Sequence, residues 1–531
     1  MNHQDMIQAI RIGKTALGIE LGSTRIKAVL INEEHQVLAN GSFSWENRLE
    51  NDLWTYHLDD AVRGLQESFA DLAADVKSKY DVELTTIGAI GISGMMHGYL
   101  PLDKNDKQLA PFLTWRNTNT PAAANELTQL FQFNVPLRWS ISQLYQAILN
   151  KEDHVPQVDY ITTLAGYIHY LLTGKRVMGV GEASGMFPID STIMDYDQGM
   201  LDQFDALIAD RGFAWKIRDI LPKVLVAGQD AGCLTEAGAK LLDPSGKLQP
   251  GIPMAPPEGD AGTGMVATNS VDACTGNVSA GTSIFSMVVL EKKLSKLYQD
   301  IDMVTTPSGR PVAMVHCNTG ASELDAWMRM FAQILDAVGA EVSTGELYGK
   351  LFGESLKADA DCDDVTLFNY ISGEPVTGLT DGRPLLVRRK DSRLTLANFM
   401  RSQIYSIFAS LAVGHRILEA EQVRIKRLTG HGGLFKTEGI AQRYLAAALN
   451  APVTVMKTAG EGGPYGMAIL AAYLLKAKET TLEDYLEQVV FGGAEGSTME
   501  PDAADVAGYK AYLKAYCDCL DLEHTAVKCV K

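Results

Sequence analysis

Residues 256–283 read PPEGDAGTGMVATNSVDACTGNVSAGTS. One carboxylate, Asp260, sits among Gly259, Gly262 and Gly264, where a backbone can turn sharply and a ligand can approach closely. Gly281, Thr282 and Ser283 follow a strand-like run, and their N–H and hydroxyl groups suit an anion. A solitary base near an anion-holding turn is the pair that phosphoryl transfer to a hydroxyl requires. Taken alone, the same residues also read as ordinary turn glycines with an Asp that caps a turn.

Composition narrows the field. The chain has 531 residues, a length for two or three domains. Hydrophobic residues make up 46% and charged residues 21%, ordinary for a protein with a real core. A net charge of −18 argues against a nucleic-acid partner, and leaves a locally held nucleotide open. Seven cysteines without a CxxC pair or zinc-type Cys/His spacing read as the reduced thiols of a cytoplasmic protein. The opening MNHQDMIQAIRIGKT lacks an apolar core of about 7–15 residues, so no signal peptide is expected. No run of about 18 apolar residues suggests a membrane partner. Gly13-Lys14-Thr15 looks like the end of a P-loop, but Gln8 stands where that motif needs its first glycine.

Outward from residues 256–283, the pattern is mixed α/β. Residues 1–15 read as a polar extension. Residues 16–31 read as two apolar strands joined by a turn at 21–25, and 35–44 as a third strand. Gly22-Ser23-Thr24 at that turn is either a plain hairpin tip or a phosphate loop. In the second case Glu20 offers a carboxylate to hydrated Mg²⁺, and Lys27 a nearby cation. Leu58–Tyr80 has helical periodicity, and 87–92 reads as a buried strand. His97, on a glycine-flanked loop after that strand, is either a ligand contact or a histidine satisfied within its turn. Residues 112–117 read as a strand end, where Trp115 and Arg116 are groups of the kind that hold sugars. A second hairpin, 272–279 with 284–290, repeats the first with Gly281-Thr282-Ser283 at its tip, which suggests two related halves facing a shared cleft. Residues 396–419 read as a core helix and 423–428 as a strand. A glycine-rich turn at 430–433 and helices at 437–449 and 467–478 follow.

These motifs together resemble the FGGY carbohydrate kinases over residues 16–475. ELGSTRIK (20–27) is similar to the family's first phosphate motif, DxGT[ST]xxK, and AGTS (280–283) to its second. SGMMHG (93–98) resembles the SGQMHG of xylulose kinase-like members, and EGDAGTG (258–264) the segment carrying the catalytic Asp. GHGGLFKT (430–437) with EGGPYGMA (461–468) resembles the adenosine segment.

The resemblance implies two actin/Hsp70-like (ribonuclease H-like) ATPase domains around a central cleft, here residues 1–270 and 271–531. It implies Asp260 as general base, and Met96, His97 and Gly98 as sugar contacts beside Trp115 and Arg116. ATP would be held by Gly22, Ser23, Thr24, Lys27, Gly281, Thr282, Ser283, Gly432, Gly433, Lys436 and Gly463. Mg²⁺ would be met by Glu20 through water. The implied partners are a small sugar and ATP, with a homodimer as a candidate assembly.

Glu20 stands where the family usually has Asp, Met95 where it has Gln, and Ala261 where xylulose kinases have Asn. Gly430-His431-Gly432 replaces a triple glycine. A ketopentose such as xylulose or ribulose is the expected acceptor, and a sugar acid such as gluconate or a polyol the alternative. A non-catalytic nucleotide-binding member of the fold would not need Asp260. An activator with a metal cluster would need paired cysteines that this chain lacks.

Overall fold

The computed structural model describes residues 2–456 and 462–531. The chain forms two compact units: Met1–Val271 with Asp302–Val312 and Glu461–Gly493, and Asp272–Ile301 with Ala313–Gly460 and Ala494–Lys531. The first crossing falls at Val271/Asp272. Two later segments fold with the first unit, which a single division after residue 270 leaves out.

The first unit is built on a five-stranded sheet ordered Glu258–Gly259, Ala89–Gly94, Thr15–Leu21, Arg25–Asn32, Val37–Ser44. Thr15–Leu21 and Arg25–Asn32 form the expected antiparallel hairpin. Ala89–Gly94 joins Thr15–Leu21 in parallel, and Glu258–Gly259 joins Ala89–Gly94 in parallel. The apolar runs are buried from both sides, as strands covered on two faces require.

Helix Leu58–Tyr80 packs against Val37–Ser44. Helix Gly462–Leu474 lies against Thr15–Leu21 and Ala89–Gly94. It is apolar nearly all round, which marks a buried helix. Small residues let it approach closely. A Cβ on Gly18 would collide with the Pro464 carbonyl and the Ala468 N–H, and one on Gly466 with the Thr263 carbonyl.

Five expectations change. Residues 1–15 are not a plain extension, because His3–Arg11 is helical. Asn2 and Asp5 form a capping box, and Ala9 and Ile10 are buried. Asp260 is not in a loop but opens helix Asp260–Ala267, with Gly262 and Gly264 inside it. The glycines mask a helix that packing against Gly462–Leu474 secures. Residues 112–117 form no strand. Leu113 makes an isolated bridge to Tyr99, and the Thr114 N–H donates to the Trp54 carbonyl. Gly430 and His431 end strand Arg427–His431 instead of turning, since the parallel ladder to Thr275–Ala280 continues through them. The last helix before residue 478 starts at Gly462, earlier than expected, while Gly460 and Glu461 lie outside the described residues.

The second unit repeats the plan. Its strands run Pro311–Cys317, Ile284–Val289, Thr275–Ala280, Arg427–His431, Val453–Met456, Gly496–Met499. Thr275–Ala280 and Ile284–Val289 form an antiparallel hairpin, and Arg427–His431 pairs in parallel with Thr275–Ala280. Helix Leu396–Ala420 is buried on most sides beside this sheet. Among the described residues no helix is long and apolar enough to cross a membrane.

The close helix approach predicts opposite effects at two glycines. Gly18→Ala should destabilise by about 1–3 kcal/mol, because backbone cannot yield to the new methyl. Gly264→Ala meets nothing within 4 Å among the described residues and sits within a helix, so it should stabilise by about 0.5–1 kcal/mol. Urea unfolding of the two variants checks both signs.

Candidate active site

Strand register brings the first unit's motifs to one edge. Leu21 lies beside Gly94, and Gly94 beside Gly259. The three parallel strands therefore end together. Gly22–Thr24, Met95–Gly98 and Asp260 all follow directly from those ends, where open α/β sheets place ligands.

Asp260 has an exposed side chain. Its Oδ1 accepts the Met96 N–H at 3.1 Å, which ties the helix start to the SGMMHG loop. Surrounding protein raises its pKa, while the Met96 and Ala261 N–H groups oppose that. The Met96 and His97 side chains are buried. His97 adopts φ 72°, uncommon for a residue with a Cβ, and Gly98 adopts φ 118° with the Phe112 ring behind it. The His97 ring stacks on Trp139, and its Nδ1 lies 3.4 Å from the Gly185 carbonyl. Backbone held in such a sparsely populated conformation is typical of ligand-binding loops.

The Gly22–Thr24 turn is tied down by its carbonyls. Trp45 Nε1 donates to the Gly22 carbonyl at 2.7 Å, the Tyr56 hydroxyl to the Ser23 carbonyl at 2.6 Å, and the Trp45 N–H to the Thr24 carbonyl at 3.2 Å. Trp45 and Tyr56 stack with ring centres 4.3 Å apart. Trp115 Nε1 donates to Ser23 Oγ at 3.3 Å, and Arg116 lies 3.9 Å over the Trp54 ring. Trp45 and Tyr56 escaped the sequence reading. Their signal was a run of aromatics, Trp45, Trp54 and Tyr56, just after the hairpin.

Glu20 faces Lys27 across the hairpin, and Lys27 is exposed. Burial, then the Asp260 charge, push the Glu20 pKa up to about 8 against the pull of Lys27. Among the described residues, Glu20 Oε2 is buried without a hydrogen-bond partner. Gly463 borders it so closely that any Cβ there would collide with Oε2. Gly463 thus sits against the first phosphate motif in the first unit, whereas Gly432, Gly433 and Lys436 belong to the second unit.

Two further acids lie behind Asp260, neither singled out by its sequence context. Glu258 is buried and accepts the Gly181 N–H at 3.3 Å and the Glu182 N–H at 2.9 Å, which caps the short helix Val180–Ala183. Burial pushes its pKa up to about 8. Glu182 is fully buried, and a Cβ on Gly259 would collide with its carboxyl. Burial, reinforced by Asp260 and Glu258, holds its pKa well above the usual range.

In the second unit, Gly281–Ser283 turns between its strands with the Gly281 N–H on the Ser283 carbonyl at 3.0 Å. The Gly281 and Thr282 carbonyls accept from the Ala321 and Gly320 N–H groups, both at 2.8 Å. Gly432 follows the parallel neighbour strand at φ 103°, and a Cβ there would collide with the Ala280 carbonyl. The register Ser279↔His431 thus sets Gly432 and Gly433 beside Gly281–Ser283, with Lys436 exposed nearby.

The buried acids make stability pH-dependent. The unfolded chain releases the Glu258 proton near 4.5, while the folded chain keeps it to about 8. Between those values the folded state binds more protons, so stability falls as pH rises. Glu258→Gln removes this term. Its melting temperature relative to the parent should therefore be more favourable at pH 8.5 than at pH 5, as calorimetry at both pH values would show.

The N-terminal domain model of the FGGY family of carbohydrate kinases matches residues 15–266, and the C-terminal domain model matches residues 276–475. The chain is 24% identical over 505 residues to a xylulose kinase of Escherichia coli (strain K12), covering 93% of this chain and 96% of that protein. A ligand-bound xylulose kinase structure from Lactobacillus acidophilus superposes with TM-score 0.77 at 18% identity, covering 96% of this chain and 98% of that one. A gluconate kinase structure from the same organism gives the same score, identity and coverage. At such identities the structures show the fold: two domains of the ribonuclease H-like, actin-like ATPase kind. With both domain models matched in order, this chain belongs to the FGGY family of carbohydrate kinases and is an ATP-dependent sugar phosphotransferase.

Proposed function

We propose that the acceptor is a ketopentose such as xylulose or ribulose, phosphorylated on a primary hydroxyl with Asp260 as general base. The observation that carries this reading is the 3.1 Å bond from the Met96 N–H to Asp260 Oδ1, which joins an exposed carboxylate to the SGMMHG loop. Relatives named xylulose kinase support the sugar class. Asp260 accepts the hydroxyl proton while that oxygen attacks the γ-phosphorus. The new P–O bond forms as the bond to the β-phosphate oxygen breaks, and ADP leaves.

The N–H and hydroxyl groups of Ser23 and Thr24 take phosphate oxygens, Gly22 shapes the turn with its N–H on the Arg25 carbonyl at 3.0 Å, and Lys27 adds charge. Gly281, Thr282, Ser283, Gly432, Gly433 and Lys436 form the nucleotide-binding candidate of the second unit. Gly463 acts by leaving room for Glu20. Met96, His97 and Gly98 shape the sugar site, with Trp115 and Arg116 beside it.

The unpartnered Glu20 oxygen beside a phosphate turn suits a hydrated divalent cation. Among the described residues no three His, Cys, Asp or Glu side chains converge as ligands. A cation here would draw its remaining ligands from phosphate and water, as Mg²⁺ does. When bound, Mg²⁺ offsets phosphate charge.

A sugar acid is the second reading, favoured by Ala261, whose small side chain beside the base leaves room for a carboxylate-bearing substrate. Coupled ADP release over pentuloses, hexuloses, polyols and D-gluconate decides between them. Highest kcat/KM on a pentulose supports the first reading, and highest on D-gluconate the second.

Asp260→Asn keeps an acceptor for the Met96 N–H but not the base. It should lower kcat by about 10²–10⁴-fold while ATP binding persists. An unchanged kcat would remove Asp260 from the chemistry. Glu20→Gln should raise the Mg²⁺ concentration for half-maximal rate by about tenfold or more, measured by titrating Mg²⁺ at fixed ATP.

A further inference from the structure

Trp115 joins the segment proposed to hold the sugar to the turn proposed to hold phosphate. Its indole N–H reaches Ser23 Oγ in the first phosphate turn. Indole nitrogen only donates, so Ser23 Oγ must accept there, and the serine's own proton is left for another acceptor. A hydroxyl that accepts one hydrogen bond donates a stronger one.

The segment carrying Trp115 is itself pinned. The Thr114 N–H and Asn117 Nδ2 both donate to the Trp54 carbonyl, at 3.2 and 2.8 Å, and the Trp54 N–H donates to Asn117 Oδ1 at 2.9 Å. Arg116 covers the Trp54 ring. The rest of the turn is clamped through its three carbonyls by Trp45 and Tyr56. Burial pushes the Tyr56 pKa up to about 12, so its hydroxyl stays a donor throughout the working pH range. Backbone freedom in the turn is therefore small, and the Ser23 side chain is what remains to be set. The partner that sets it is 38% exposed, with ring surface open to a ligand.

We infer that Trp115 is a positioning residue that couples the acceptor to the nucleotide: a sugar resting on the Thr114–Arg116 segment fixes the indole, and the indole orients the Ser23 hydroxyl toward a phosphate oxygen. The inference rests on the reading that the acceptor lies on this segment. With no sugar packed on its exposed face, the indole must meet the whole ordering entropy of the Ser23 contact itself, so that orientation is less populated and ATP is held more loosely. Water then meets a poorly held γ-phosphate, which limits wasteful hydrolysis. By linkage the effect is reciprocal, so ATP must tighten sugar binding by the same factor.

Calorimetric titration of MgAMP-PNP in the absence and presence of D-xylulose, D-ribulose or D-gluconate, whichever turns over fastest, tests this. In the parent, sugar should tighten MgAMP-PNP about three- to tenfold, the effect of one net hydrogen bond. Trp115→Phe keeps the ring and loses the N–H. Whatever it does to either affinity alone, its ratio with and without sugar should fall to within about twofold of unity. Ser23→Ala should do the same, and the double variant should lose nothing further. Sugar-free ATP hydrolysis relative to sugar phosphorylation should rise in each. A Trp115→Phe protein that keeps the parent's ratio, or a parent with no ratio to lose, overturns the inference while the acceptor reading stands on its turnover. If no sugar in the panel is phosphorylated, the acceptor reading itself falls and takes this inference with it.

Discussion

Parallel pairing at three strand ends is the constraint on which the first unit depends. Ala89–Gly94 pairs with Thr15–Leu21 on one side and Glu258–Gly259 on the other, so residues distant in the chain finish at one level. The period of a strand is two, and a slip of one residue would reverse every side chain. The register therefore fixes more than position. It decides that Glu20 faces the edge carrying Asp260, and that the loop after Gly94 meets the start of helix Asp260–Ala267. The two packed faces hold the register, since a slip would turn the fully buried Leu17, Ile19, Ile90 and Ile92 onto the face where Gly18 and Gly91 make room for helix Gly462–Leu474.

Both units present a short polar turn at a hairpin tip, and each restrains it from behind through carbonyl oxygens. The first uses aromatic donors, Trp45 and Tyr56. The second uses main-chain N–H groups of Gly320 and Ala321, just ahead of helix Ser322–Ala337. The physical result is alike. Carbonyls, which repel phosphate, are consumed, and of the N–H groups those of Gly22 and Gly281 close their own turns on the Arg25 and Ser283 carbonyls. Holding these groups in place before the ligand arrives removes an ordering cost from binding. The buried acids next to Asp260 work differently. Burial raises the pKa of both Glu258 and Glu182, which disfavours further negative charge behind the base.

Much of this was legible from residues alone because it depends on local pattern. Alternating apolar runs mark the Glu20–Lys27 hairpin, and a 3.6-residue stripe marks Leu58–Tyr80. Family-like motifs single out Asp260 and the two turns. What escaped depends on tertiary packing. The helix beginning at Asp260 is poor in helix-forming residues and exists because Gly466 lets a neighbour close on it. Gly463 was grouped with the Gly432 segment by proximity in sequence, yet its helix is claimed by the other unit's sheet. Trp45 and Tyr56 serve through side-chain hydrogen bonds to backbone far from them in sequence, which no spacing rule reports. The helix at His3–Arg11 could have been found, since Asn2 and Asp5 stand at capping-box spacing before Met6 and Ile10.

Helix Gly462–Leu474 sets a schedule for biosynthesis. The strands it covers leave the ribosome early, while the helix emerges only near the end of the chain. At about 5–20 residues per second the interval is on the order of a minute. Throughout it, one face of the first sheet lacks its apolar cover, including the cleared strip above Gly18 and Gly91. The nascent amino-terminal unit is therefore a natural client for chaperones. A chain cut short before residue 462 would keep that face bare however well its other elements had formed.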